Sequence, residues 1–194
     1  DDCSQDPNSR KKDKDKTVLF AGSFNPAHNG HLAMVKYLST RYKEVILVIG
    51  MNPNKTYQVS PSDRAVLLEK MVSASGISKS RVRVEVISGY IWRYAMAQNV
   101  EILFRGIRTW EKDGKDEQAL HLLNTWGPVV YGPLKWPIKT IFIEGQPKYE
   151  ALSSTLIRNR CSLVKRGNRR GITLSMHDFV PKDTIEEVID AYCS

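Results

Sequence analysis

From Thr17 onward, short apolar runs alternate with longer segments whose apolar residues return every three or four positions. "TVLFAG" (17–22) and "EVILVIG" (44–50) are short, β-branched and bounded by turn residues, as strands buried on both faces are. Between them Leu32, Val35, Leu38 and Tyr42 recur at helical spacing. A second helix is predicted at "SPSDRAVLLEKMV", with Ser60 as N-cap, Pro61 in the first turn and Asp63 at the capping-box position. Its stripe is Leu67, Leu68, Met71 and Val72. "RVRVEVI" alternates as a strand and "YIWRYAMAQ" reads as a short helix. "VEILFRG" and "IKTIFIE" read as strands, with a helix near 116–125 and a Pro- and Gly-rich loop, "TWGPVVYGPLKWPIK", between them. The last helix carries Ile185, Val188, Ile189 and Tyr192, with Asp183 and Glu186 as cap and counter-cap. Repeated β-α-β units imply an α/β fold, a doubly wound parallel sheet with helices on both faces.

Residues 1–16 lack this rhythm. They hold five acids and five bases, and read as a disordered charged tail ahead of one domain spanning 17–194. The tail has neither an initiating Met nor the apolar stretch of a secretory signal, so the chain reads as cut from a longer one. Its longest apolar run, Val45–Met51, is too short to span a bilayer, and no membrane partner is expected. Cys3, Cys161 and Cys193 are far apart with no CxxC pair, which argues against a disulfide framework or zinc knuckle and for a reducing, intracellular, cytoplasmic setting.

Net charge is +8, which raises the question of nucleic acid. "RNRCSLVKRGNRR" (158–170) carries Arg158, Arg160, Lys165, Arg166, Arg169 and Arg170 with no acid. No aromatic side chain is interleaved to stack bases, so a solvated basic loop, or one near phosphates, is the better reading.

In doubly wound sheets, ligands bind where the strands end. The polar residues there are Ser23–His31, Asn52–Lys55, Arg105–Arg108 and the segment after Glu144. Within "FAGSFNPAHNGH", His28 and His31 flank Asn29 and Gly30. A helical zinc pair wants a spacing of four and a third ligand, and neither is present; no protein-held metal is expected. Local turn hydrogen bonds are a second reading. Phosphate is the best fit: a helix opening near Asn29 offers N–H groups and a positive dipole, and Gly22 and Gly30 leave room for close approach.

"GSFNPAHNGH" resembles the (H/T)xGH signature of the nucleotidyltransferase superfamily, whose members transfer AMP or CMP to phosphate-bearing acceptors. "NPNK" (52–55), "RGIR" (105–108), "LSSTLIR" (152–158) and "FVPKDTIEEVIDAY" are similar to motifs of its phosphopantetheine adenylyltransferase branch. The resemblance spans Val18 to Tyr192 and implies a Rossmann-like domain. Asn25 and His28 stand where that branch usually has Asp and often Thr; both look more like a nicotinate or nicotinamide mononucleotide adenylyltransferase. A cytidylyltransferase is a weaker choice, and a non-catalytic nucleotide-binding module is the alternative of another class.

The resemblance implies attack by an acceptor phosphate on the α-phosphorus of ATP, with Mg²⁺ accompanying ATP, in the synthesis of coenzyme A. His31, Ser23, Lys55 and Arg108 are then the catalytic set: His31 on the α-phosphate, Ser23 orienting the reacting oxygens, Lys55 bridging acceptor and transition state, and Arg108 on the β- and γ-phosphates. Phe24, His28, Gly106, Ile107, Tyr149, Ser153, Ser154 and Thr155 join the nucleotide site. Glu117, favoured over Asp116, supplies its acidic contact. Arg105 and Ile91 would hold the acceptor, with Ile91 along its apolar arm. The partners are ATP and a small phosphate-bearing acceptor, and the family pattern allows a homo-oligomer.

Overall fold

The computed structural model describes residues 13–50, 56–107, 138–144, 146–163 and 169–193. In chain order the elements are β1 (Thr17–Gly22), α1 (Asn29–Arg41), β2 (Glu44–Gly50), α2 (Pro61–Ala74), β3 (Val82–Ile87), α3 (Ile91–Ala97), β4 (Ile102–Ile107), β5 (Lys139–Glu144), α4 (Ser154–Ser162), α5 (Arg169–Ser175) and α6 (Ile185–Cys193). Short 3₁₀ turns stand at Pro147–Tyr149 and Lys182–Thr184. All five strands are parallel, in the order β3-β2-β1-β4-β5.

Side-chain alternation divides the core. Val18 and Phe20 of β1, with Val45, Leu47 and Ile49 of β2, meet α1, α2, α4, α5 and α6 on one face. Leu19, Ala21, Ile46 and Val48 point the other way, toward Ala95 of α3 and Val100. Val45 through Ile49 are all fully buried, as expected of an unbroken apolar run in a strand covered on both sides.

The cap expected for α2 forms: the Ser60 hydroxyl accepts from the Asp63 N–H at 3.1 Å, with Pro61 opening the helix. Asp183 is displaced from its expected capping role; it lies within the 3₁₀ turn that leads into α6. Contacts with the body begin earlier than Thr17, because Asp13 pairs with Lys16 at 3.1 Å and with Arg41 at 3.6 Å.

The stretch 158–170 is not one solvated loop. Arg158 and Arg160 lie on α4, and Arg169 opens α5. Arg160 stacks 4.6 Å over Phe179, and Arg169 lies 2.7 Å from both Glu186 and Asp190. Of this basic stretch, Arg169 is therefore matched by acids within the fold. The helix near 116–125, the loop 127–137, Lys55, Arg108, Asp116 and Glu117 lie outside the described residues. Among the described residues no helix is long and apolar enough to cross a membrane.

Candidate active site

β1 and β4 are neighbours in the sheet, yet the chain leaves them toward opposite edges, which opens a crevice at their carboxyl ends. Register places Ala21 opposite Arg105, so "GSFNPAHNGH" and "RGI" emerge side by side. These two segments were singled out separately in the sequence. The sheet brings them together.

The turn between β1 and α1 is held from several directions. Phe24 has φ of 43°, a conformation disfavoured for a bulky side chain. Its ring is 1% exposed and packs edge-on against Phe20 and His31, at centroid distances of 5.7 and 5.1 Å. The Phe24 side chain thus belongs to the core. The Gly22 hydrogen stands where a Cβ would lie 3.1 Å from the Phe24 ring, so this glycine answers to packing. At Gly30 a Cβ would lie 3.0 Å from Nδ1 of His28 and 3.3 Å from Cβ of Tyr149, which brings Tyr149 against the start of α1.

His28 and His31 stack with ring centroids 3.8 Å apart. Burial pushes the His31 pKa down to about 4, so its imidazole is neutral near neutral pH. Its Nδ1 is buried without a hydrogen-bond partner. Nδ1 is best left as the bare lone pair, with the proton on Nε2 as a donor.

Two helix N-termini converge on the turn. In α1 the first intrahelical bond runs from Leu32 N–H to the His28 carbonyl. The Asn29 N–H is already given to the Phe179 carbonyl at 2.8 Å, so Gly30 and His31 carry the remaining open N–H groups. In α4 the Ser153 hydroxyl caps Leu156 N–H at 3.1 Å, Ser154 Oγ donates to the Pro26 carbonyl at 2.8 Å, and Thr155 Oγ1 accepts from Arg158 at 3.0 Å. Of the three hydroxyls expected to meet polyphosphate, Ser154 spends its donor on Pro26, while Ser153 and Thr155 accept in these bonds and keep an O–H to donate. Arg158 also donates to the Asn25 carbonyl.

Asn25 is 8% exposed, and its Oδ1 accepts from Tyr192 Oη at 2.9 Å. Its side chain is thereby tied to α6. Tyr192, Phe179 and Arg158 were missed as site residues; their part depends on contacts 130 to 170 residues distant in sequence, roughly the separations of 133 and 167 seen for Arg158 and Tyr192.

Ser23 is exposed at the end of β1. Arg105 shares a face of β4 with Leu103, the α3 side, and Ile91 of α3 approaches the end of β2, 3.4 Å from where a Gly50 Cβ would stand. Gly106 faces the other way, toward Met34 and Phe20, while of Ile107 only the backbone, paired with Glu144, is described. An open groove of about 450 Å³ borders the turn through Asn29 and Tyr149, but contains neither histidine. Among the described residues no group of three or more His, Cys, Asp or Glu could hold a metal ion.

A family model described as cytidylyltransferase-like matches residues 19–160. The chain is 32% identical over 177 residues to the phosphopantetheine adenylyltransferase of Chromobacterium violaceum, which covers 91% of this chain and 98% of the relative. It is 28% identical to that of Borrelia duttonii, over 86% of this chain and 90% of the relative. The solved nicotinic acid mononucleotide adenylyltransferase of Plasmodium falciparum superposes with a TM-score of 0.60 at 14% identity, covering 91% of this chain and 95% of that one, and so shares the fold. The chain belongs to the cytidylyltransferase-like family of nucleotidyltransferases, on the branch of the phosphopantetheine adenylyltransferases.

Proposed function

We propose that the chain transfers AMP from Mg·ATP to 4′-phosphopantetheine, giving dephospho-CoA and pyrophosphate. An oxygen of the acceptor phosphate forms a bond to the α-phosphorus as the bond from that phosphorus to the β-bridging oxygen breaks. The electron pair leaves with pyrophosphate. An ionised phosphate is already nucleophilic, so the protein's task is positioning and charge stabilisation.

The observation that carries the reading is the meeting of two helix N-termini and a neutral, donor-ready His31 at the β1/β4 switch point. Open N–H groups of α1 and α4 suit phosphate oxygens. His31 donates from Nε2 to the α-phosphoryl group, Ser23 orients the reacting oxygens, and His28 supports His31 through their stack. The placement of Arg105 and Ile91 on the α3 face favours acceptor binding there, with the nucleotide on the α1 side. Lys55, Arg108 and Glu117 complete the set by resemblance. Magnesium would enter with ATP, needing few ligands from the protein, and would supply charge neutralisation at the phosphates.

The test is pyrophosphate release from Mg·ATP with 4′-phosphopantetheine, nicotinamide mononucleotide or nicotinate mononucleotide as the acceptor. Turnover is expected with phosphopantetheine alone. His31→Ala should lower kcat about 10²- to 10³-fold, the loss of one donor aimed at developing charge. Turnover with a pyridine mononucleotide instead would overturn the acceptor assignment.

A further inference from the structure

Arg64, in the first turn of α2, is 1% exposed. One guanidinium nitrogen, Nη1, donates to the Ser23 carbonyl, and the guanidinium lies 4.3 Å over the ring of Tyr57. Nε and Nη2 are buried with no hydrogen-bond partner. No carboxylate among the described residues pairs with it. A cation withdrawn from water with two unmet donors and no counter-ion among the described residues is unfavourably placed in a resting protein. Such placements are candidates for sites where a compensating negative charge arrives nearby with a ligand.

The groups around Arg64 suggest what it serves. Ser23 is the last residue before the left-handed Phe24, so the orientation of its carbonyl sets how the chain enters the turn. Tyr57 stands two positions beyond Lys55 in sequence. One guanidinium therefore clamps the β1 turn against the chain that follows the second phosphate motif. Burial lowers its pKa, while a guanidinium remains charged at any ordinary pH.

We propose that Arg64 is a positioning residue for nucleotidyl transfer: it fixes the Ser23 turn from beneath and sets a positive field there whose counter-charge is the polyphosphate of the substrate. It acts through Ser23 and through space, since its free nitrogens are shielded from any contact with substrate. The proposal rests on the phosphate role given to the turn in the proposed function.

The experiment compares wild type, Arg64→Met, Arg64→Lys and, as a control on the exposed side of the same helix, Lys70→Ala. Thermal unfolding is measured with and without Mg²⁺ and inorganic pyrophosphate, together with kcat and the KM for ATP. Arg64→Met removes an unpaired buried charge, so its midpoint without ligand should equal or exceed that of wild type. It should lose the upward shift given by pyrophosphate, and its kcat should fall about 10- to 100-fold, as misplaced reacting groups cause. Arg64→Lys keeps charge without the planar fork: it should retain the pyrophosphate shift and recover only part of kcat. Lys70→Ala should match wild type.

An Arg64→Met protein with a lowered midpoint but unchanged kcat and pyrophosphate shift would show a packing role and overturn the proposal. If Arg64→Met does not fold, an Arg64→Lys protein with wild-type kcat overturns it equally. A wild-type protein that neither responds to pyrophosphate nor turns over with any acceptor would instead sink the proposed function itself.

Discussion

His31 shows how a side chain can be tuned by what surrounds it and by no single partner. Desolvation alone takes its pKa from 6.5 to about 4. The unfolded chain binds this proton first as pH falls, so the stability contributed by neutral His31 is complete above pH 6.5. It erodes between pH 6.5 and 4, by on the order of 3 kcal/mol at the low end. Urea midpoints of wild type and His31→Asn at pH 7.5 and 4.5 read this directly. The substituted protein should lose less stability on acidification; equal losses would mean that the imidazole is not kept neutral by the fold. An arriving phosphate would favour the protonated ring, so nucleotide binding should be accompanied by partial proton uptake.

Among the elements, α4 is the one whose first turn matters most. Its Ser153 cap fixes the N–H groups that face the turn, and Ser154 ties the helix to Pro26. Ser153→Ala should destabilise the protein by about 1 kcal/mol, the ordinary cost of a lost N-cap, seen as a lower thermal midpoint. The strands and the capped start of α2 were legible in the sequence because their signals are local: a period of two or an unbroken apolar run, and a Ser-Pro-x-Asp start. α5 was not, because its arginines and Gly171 resemble a solvated loop until Arg169 finds Glu186 and Asp190 on α6. The direction of Asn25 was hidden for a related reason. Its identity could be compared with a family pattern, whereas its side-chain direction depends on Tyr192. Arg64 showed in sequence as one more charged residue of an amphipathic helix, and only its burial sets it apart.

At the scale of the molecule, the two binding roles proposed for the site fall on opposite faces of the sheet. Arg105 points to the α3 face, and the histidine turn with α4 lies on the side of α1. Arg105→Ala should therefore raise the KM for the acceptor about tenfold or more while leaving the KM for ATP near its wild-type value, measured by varying each substrate at saturation of the other. Equal effects on both would mean that the two binding regions are not divided by the sheet.

The Phe179 and Tyr192 tethers carry a consequence for how the protein is made. The turn after β1 leaves the ribosome well before its partners, because Asn29 and Asn25 find them only about 150 and 167 residues later. A nascent chain that has completed the first strands still lacks the carbonyl and phenol that hold the cradle. The cradle therefore closes only once α6 has been made, and a chain translated no further than the first strands has the motif without the contacts that hold it.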